Sequence, residues 1–463
     1  MRNILLGACF ALAAAAQTAP DWPKIEAETL RHYQALIRLD TTNPPGNETR
    51  AVDYVKRVLD AEGIPNTVLA LEPDRANLVA RLKGSGAKRP ILIMGHTDTV
   101  RVDPAKWIFP PFSATRDAGY VYGRGAVDDK DNLTACLMAM VMLKRSGVKL
   151  DRDVIFVAEA GEEASTRVGI AFLVEKHWDK IDAEICLAEG GGVTRRDGKV
   201  RFATVQTAEK IPYGVKLVSH GPAGHGSRPL KTNAVVHLAR AVEKVAAWDP
   251  PSRFNDTTRT YFEKLAMLSS PEDAARYNGL SDPARRAAIE QYFAEKEPGH
   301  YSMLRTSISP TIIKGGYQIN VIPSDAEATL DVRGLPDEDM DAFVKQIQKV
   351  IGDPAVDVLR EDRNARPKAP PSRLDNDAFH ALEAAAKDIY GVVTLPTMST
   401  GATDMAYLRA KGVQCYGVGP AIDIEDGPKG FGGHSDQERL LETELHRFVR
   451  FQYETVVRLA ARR

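Results

Sequence analysis

The sequence predicts an α/β protein: a discontinuous α/β domain with a smaller α+β unit of βαββαβ order inserted into it. Three observations carry this. Short apolar strand-like runs alternate with helical patterns as far as Ala188, which implies layered packing around a largely parallel sheet. From Ile211 the rhythm changes to strand, helix, strand, strand, helix, strand. After the Pro-rich "RPKAPPSR" the first rhythm resumes and runs to Arg463.

Taken in order, the chain opens on "MRNILLGACFALAAAAQTAP". One Arg precedes an apolar, Ala-rich block and then small residues, the pattern of a secretory signal cleaved near Ala14–Ala19. Residues 1–19 are read as that signal, and the mature chain is expected in the periplasm or secreted. "LGAC" at Leu6–Cys9 resembles a lipoprotein cleavage site, but the apolar region before Cys9 is short and continues past it, so lipid anchoring ranks second. Helical patterns follow at Ile25–Leu39, Arg50–Glu62 and Asn132–Ser146. Strand-like runs lie at Asn77–Leu82, Pro90–Met94, Val154–Ala158, Ile185–Ala188 and Val413–Gly417. The smaller unit reads as strand Tyr213–Ser219, helix Asn233–Trp248, strands Ser307–Gly315 and Ala326–Arg333, helix Glu338–Ile351 and strand Ala355–Arg360. A polar, mostly helical insertion interrupts it around Pro251–His300. The expected division is 20–210 and 366–463 for the α/β domain and 211–365 for the inserted unit, with hinges near Ala208–Tyr213 and Arg363–Pro371.

With 463 residues the chain exceeds one simple core, and two domains are expected. A net charge of −1 and the lack of a basic stripe argue against a nucleic-acid partner. No apolar run after the signal approaches the length of a membrane span. Cys136, Cys186 and Cys415 are scattered in apolar stretches, which suits small core residues and neither a disulfide framework nor a thiolate metal site.

The chemistry-bearing residues follow the ends of the strands. "ILIMGHTDTV" places His96 and Asp98 after one strand; "GRGAVDDK" puts Asp128 and Asp129 in a Gly-rich turn before a helix. "VIFVAEAGEE" ends in Glu162 and Glu163, "CLAEGGG" carries Glu189, and "GFGGHSD" carries His434. Each has a bland explanation alone: a surface His, a helix N-terminus with favourable acids, a solvated carboxylate. Together they do not, because an α/β sheet gathers its ligands beyond the carboxyl ends of its strands. About five negative charges would meet in one cleft, and two divalent cations would offset most of that repulsion. Imidazole and carboxylate without thiolate suit zinc, with cobalt or manganese as substitutes.

The ordered set "GHTD", "GRGAVDDK", "GEE", "AEGG" and "GGHS" resembles the di-zinc aminoacylase and carboxypeptidase family, which includes acetylornithine deacetylase, succinyl-diaminopimelate desuccinylase, carnosinase-like dipeptidases and a bacterial glutamate carboxypeptidase. The resemblance covers nearly the whole chain after the signal. It implies a zinc-peptidase catalytic domain with an inserted ferredoxin-like lid and dimerisation domain. It implies that His96 and His434 bind separate zinc ions, that Asp128 bridges them from a cis bond to Asp129, and that Glu163 and Glu189 complete the two positions. Asp98 would orient His96, and Glu162 would be the general base. His225 in "HGPAGHGSRP" matches the family's lid histidine, Asn320 and Arg333 match residues that grip the substrate's carboxylate or backbone, and Gly401 in "STGATDMAYL" lies in the substrate loop. In many relatives the lid histidine comes from a partner subunit, so a homodimer through the lid is possible, although the 251–300 insertion departs from the minimal form.

The reading favoured is an exported di-zinc hydrolase cleaving a peptide bond next to a free carboxylate, as a carboxypeptidase or dipeptidase. The alternative is an N-acyl-amino-acid deacylase. A non-catalytic binding protein on the same fold is the remote third, since it would be expected to have lost ligands.

Overall fold

A computed structural model describes residues 20–361 and 366–462; the signal expected at residues 1–19 lies outside them. A ten-stranded sheet organises the larger unit. At its centre Val154–Glu159, Ile91–His96, Ile185–Ala188 and Gln414–Gly417 run parallel, so all four carboxyl ends open on one edge. His96 stands opposite Glu159 in that register.

Alternation along these strands builds two cores, because successive side chains point to opposite faces. Ile91, Ile93, Val154 and Phe156 pack beneath helices Thr49–Ala61, Lys130–Ser146, Asp377–Tyr390 and Glu442–Ala460. Leu92, Met94, Ile155 and Val157 pack on the other face against Ile170–Lys176 and Met405–Ala410. Cys136, Cys186 and Cys415 are buried free thiols.

The sheet is less parallel than the sequence pattern suggests. Asn66–Ala70 pairs antiparallel with Ala76–Leu82, which pairs antiparallel with Val154–Glu159. On the far side Gly192–Arg196 and Lys199–Glu209 form an antiparallel hairpin, which then takes Thr394–Ser399 in parallel. The hairpin turns at "RRDGK", where Asp197 and Gly198 both have positive φ.

Helix Lys130–Ser146 fixes one wall of the site. Asp131 lies in its first turn and Lys144 and Arg145 in its last, in accord with the helix dipole, and Gly147 ends it in the left-handed conformation. Its start lies tight against the strand that bears His96. A Cβ on Gly95 would come within 2.9 Å of the Leu133 backbone nitrogen, so only glycine permits this approach.

The smaller unit is a four-stranded antiparallel sheet in the order Ser307–Gly315, Asp325–Gly334, Ile211–His220, Val356–Glu361. Helices Ala234–Ala246 and Met340–Ile351 cover one face around Leu217, Leu330 and Phe343. The insertion forms four helices, Asp256–Leu268, Pro271–Gly279, Pro283–Lys296 and Pro298–Met303, three of which carry Pro in the first turn. Its core of Phe262, Phe293 and Leu304 packs on Ala208, Leu395 and Met398 of the large sheet and on Leu335 of the smaller one. It therefore joins the two units. It leaves the outer part of edge strand Ser307–Gly315 uncovered, where Ile312 and Ile313 are exposed.

At Ala208–Tyr213, where a hinge is expected, the chain passes almost directly from one strand into the next. Only Lys210 separates two long strands; it is fully buried and its Nζ donates to Ser302 Oγ at 2.9 Å and Ser307 Oγ at 2.8 Å.

Candidate metal centre

Asp128 is the focus of the site. Its Oδ1 lies 3.0 Å from His96 Nε2 and its Oδ2 lies 3.1 Å from His434 Nε2. Each imidazole has a second carboxylate: Glu189 Oε2 at 4.0 Å from His96, and Glu163 Oε2 at 3.0 Å from His434. Donor atoms of His96, Asp128 and Glu163 all lie within 4.8 Å of one another, as do those of His96, Glu162 and Glu189. The structure thus brings together all five residues expected as ligands, with Glu162 beside them.

Local chain geometry sets each donor. The Asp128–Asp129 peptide is cis. Asp129 turns inward, where its Oδ2 accepts from the His96 backbone N–H at 3.2 Å and from Asn132 Nδ2 at 3.1 Å. The preceding turn is held by Glu438, whose carboxylate accepts from the Gly125 and Val127 N–H groups at 2.8 and 2.7 Å and pairs with Arg124. His434 sits at φ 62, and a Cβ on neighbouring Gly433 would come within 3.1 Å of Asp128 Oδ2.

Asp98 does more than orient His96. The His96 Nδ1 contact goes to the Asp98 backbone oxygen at 3.0 Å, with the Asp98 carboxylate at 3.5 Å. That carboxylate accepts from the N–H groups of Gly161, Glu162 and Glu163 at 3.1, 3.2 and 3.1 Å, and from Asn43 Nδ2 at 2.8 Å. One buried side chain therefore fixes the loop that carries both glutamates.

The electrostatics follow from burial and crowding. Burial opposes ionisation of Asp128, but hydrogen bonds from His434 and His96 outweigh it and hold its carboxyl below the usual range. Hydrogen bonds to Asp128 and then Glu163 push His434 up to about 10. Burial, against the pull of Arg366, pushes Glu162 up to about 8. Burial, then Glu162, raises Glu189 well above an ordinary carboxylate. The donor set fits divalent cations: two imidazoles and several carboxylates without thiolate, with Glu163 Oε1 buried and lacking a hydrogen-bond partner among the described residues.

Glu162, Glu163 and His434 line a cleft of about 730 Å³ together with Thr166, Arg333, Arg366 and Tyr407. Arg333 is the one residue of the smaller unit expected at the substrate that reaches this cleft, and its guanidinium is held by Asp331 at 2.8 and 3.1 Å. His225 and Asn320 do not line it. They lie together on a short ribbon, with the Gly226 N–H donating to Asn320 O at 2.8 Å, and both are exposed. Gly401 has open space beside it: a Cβ there would meet only Ser399 Oγ at 3.4 Å.

The sequence reading missed three residues. Arg366 pairs with Glu162 at 2.7 Å and with Asp404 at 2.8 Å. Glu159 and Asp404 are buried beside His96 and Glu189, and burial raises both, Asp404 to about 6. Asp404 stood in the quoted "GATD" and Glu159 in "VAEAGEE", both available to the argument that strand ends carry chemistry; Arg366 sat in a proline-rich stretch that reads as a linker.

Residues 92–458 match the family model described as Peptidase family M20/M25/M40. The chain belongs to this family. M20 is a metal-dependent family of hydrolytic enzymes, and this chain is a hydrolytic enzyme of the metallopeptidase class. It is 30% identical over 345 residues to a probable carboxypeptidase S-like 2 of Dictyostelium discoideum, covering 71% of this chain and 64% of that protein. It is 25% identical over 403 residues to aminoacylase-1 of Mus musculus, covering 86% and 88% of the two chains. Among solved structures it resembles an M20 family metallo-carboxypeptidase from Sulfolobus solfataricus, with a TM-score of 0.71, 21% identity and coverage of 93% and 98%. It also resembles human carnosine dipeptidase 1, with a TM-score of 0.66, 14% identity and coverage of 95% and 98%. Those two likenesses bear on the M20 fold alone. No helix among the described residues is long and apolar enough to cross a membrane.

The raised groups predict how metal and pH interact. A group whose pKa is higher folded than unfolded contributes stability that is lost as pH rises between the two values. In the metal-free protein Glu162 acts in this way from the ordinary glutamate value of 4.5 up to about 8. His434 does the same from 6.5 up to about 10. The gap in melting temperature between zinc-loaded and chelated protein should widen from about pH 6 to about pH 9. His434→Ala should reduce the widening and lower bound zinc by about one equivalent. A constant gap, measured by calorimetry, would contradict this.

Proposed function

We propose that the chain is an exported di-zinc hydrolase that cleaves a peptide bond next to a free carboxylate, as a carboxypeptidase or dipeptidase. The observation that carries this reading is Asp128 between two imidazoles, with Glu162 beside them and the Arg333 guanidinium in the same cleft. His96, Asp128 and Glu189 would hold one zinc ion, and His434, Asp128 and Glu163 the other. When bound, such a pair supplies Lewis acidity that lowers the pKa of water and polarises a carbonyl.

The chain's own residues do the rest. Glu162 takes a proton from water as its oxygen attacks the carbonyl carbon, and returns it to the leaving nitrogen as the C–N bond breaks. Asp98 keeps the Glu162 backbone in place. Arg333 exchanges Asp331 for the substrate's carboxylate, which its fork can meet with two hydrogen bonds. Gly401 contributes to the wall of the substrate loop.

His225 is assigned to the oxyanion and Asn320 to the substrate backbone, both acting in the site of a second copy. Their absence from the lining of this chain's own cleft supports that assignment, as does the exposed edge strand bearing Ile312 and Ile313. Residues 211–365 are accordingly read as the lid and dimerisation domain between catalytic segments 20–210 and 366–463. Sedimentation that finds only monomer would remove the role of His225.

A second reading, deacylation of N-acyl amino acids, is favoured by the match to aminoacylase-1 along most of both chains. It uses the same residues and differs only in the group that precedes the scissile bond. Hydrolysis of a panel of dipeptides and N-acyl amino acids with added zinc separates the two.

Glu162→Gln should retain zinc and fold and lose about 10²- to 10⁴-fold in kcat. Near-normal turnover would place the base elsewhere. Arg333→Ala should raise KM on substrates with a free carboxylate and spare amidated ones; equal loss on both would contradict its role. For export, the intact mass of the mature chain should lack the residues up to Ala14–Ala19. A chain that retains Met1 and stays in the cytoplasmic fraction would overturn it.

A further inference from the structure

Arg366 stands where the chain returns from the smaller unit to the larger one, directly before Pro367. Its side chain is 12% exposed, and both arms of the guanidinium are engaged. Nη2 donates to Glu162 Oε1 at 2.7 Å and Nη1 donates to Asp404 Oδ1 at 2.8 Å. Asp404 is itself fixed. It is 1% exposed, it follows Thr403, and Thr403 is clamped by Glu209 Oε2 through its N–H at 3.0 Å and its hydroxyl at 2.7 Å. Glu209 in turn lies 3.3 Å from Arg409. A run of buried polar contacts therefore leads from the far strands of the large sheet to one oxygen of Glu162.

From this geometry we infer that Arg366 is the positioning residue for Glu162. The inference rests on the reading of Glu162 as the base. A glutamate has three side-chain torsions, and a base left to rotate in a cleft of this size would meet the water only part of the time. The guanidinium holds Oε1, so Oε2 is the oxygen turned to the proton. Asp404 holds the other arm, so the fork cannot swing with its partner. Burying a charged guanidinium is costly unless it is paired, and here a carboxylate accepts from each terminal nitrogen.

Two alternatives are less well supported by the contacts. A receptor for the substrate carboxylate would need a free arm, and Arg366 has its two terminal nitrogens on Glu162 and Asp404. Arg333 lines the same cleft, is about a third exposed and, among the described residues, pairs with half-open Asp331, which makes it the exchangeable guanidinium. A purely structural ion pair would have no need to reach the residue next to a metal ligand.

The test uses the full chain loaded with zinc. Arg366→Ala, Arg366→Lys and Asp404→Asn are compared with the parent for zinc content, circular dichroism, kcat and KM on a dipeptide, and the Kd of the amino-acid product by calorimetry. Arg366→Ala should lower kcat about 10- to 100-fold, a part of what general-base catalysis contributes. KM and the product Kd should stay within about threefold and zinc content should be unchanged. Added guanidinium ion should restore part of kcat, Arg366→Lys should retain part of it, and Asp404→Asn should lower kcat with KM unchanged. Unchanged kcat in Arg366→Ala overturns the inference. So does a rise of about tenfold or more in KM and product Kd with kcat held, which would make Arg366 a substrate receptor. Loss of zinc or fold in both Arg366→Lys and Asp404→Asn would make the network scaffold only and overturn it as well. Near-normal kcat in Glu162→Gln would instead remove the base reading, whatever Arg366 does.

Discussion

Carboxylates crowd the open edge of the central sheet, and that crowding is the constraint on which the rest of the site depends. Asp128, Glu163, Glu189 and Glu162 face one another across a few ångströms, with Asp98 and Glu159 behind them. Among the described residues His96, His434 and Arg366 lie directly against these carboxylates, and the pKa directions follow from that crowding. Histidine 434 is pushed far up, and buried glutamates are pushed up with it. Such a site is compatible with a stable fold chiefly because cations can take the place of the protons.

The fold spends buried polar groups to keep the donors still. Asp98 gathers three successive backbone N–H groups, Asp129 ties the cis turn to the strand of His96, and Glu438 anchors the glycine-rich turn before Asp128. Gly95 lets the helix after that turn lie against the strand. These contacts explain why residues from five separate stretches meet within a few ångströms. The insertion has a different task. It packs against both sheets while leaving the edge of the smaller sheet open.

The main outline was legible in the sequence because its signals are local. His96, Glu163 and Glu189 follow apolar runs and Asp128 and His434 stand in glycine-rich turns, so all five were visible locally, and the family resemblance supplied their division between two metal positions. The βαββαβ order was legible for the same reason. What escaped notice depends on contacts distant in sequence. Arg366 meets Glu162 across 204 positions, and nothing in "RPKAPPSR" marks one arginine as buried. The threefold grip of Asp98 on the following loop is a backbone interaction with no side-chain pattern. The antiparallel flanks of the sheet escaped because Lys199–Glu209 is half polar and lies between stronger signals. His225 and Asn320 were named from motif context, and that context carries no information on which subunit's cleft they serve.

The central claim is that this cluster is built around two cations sharing Asp128. Anomalous diffraction at the zinc edge, from crystals of the full chain soaked in zinc, tests it most directly. The account predicts two peaks flanking the Asp128 carboxylate, one beside His96 and Glu189 and the other beside His434 and Glu163. A single peak, or peaks out of reach of Asp128, would contradict it.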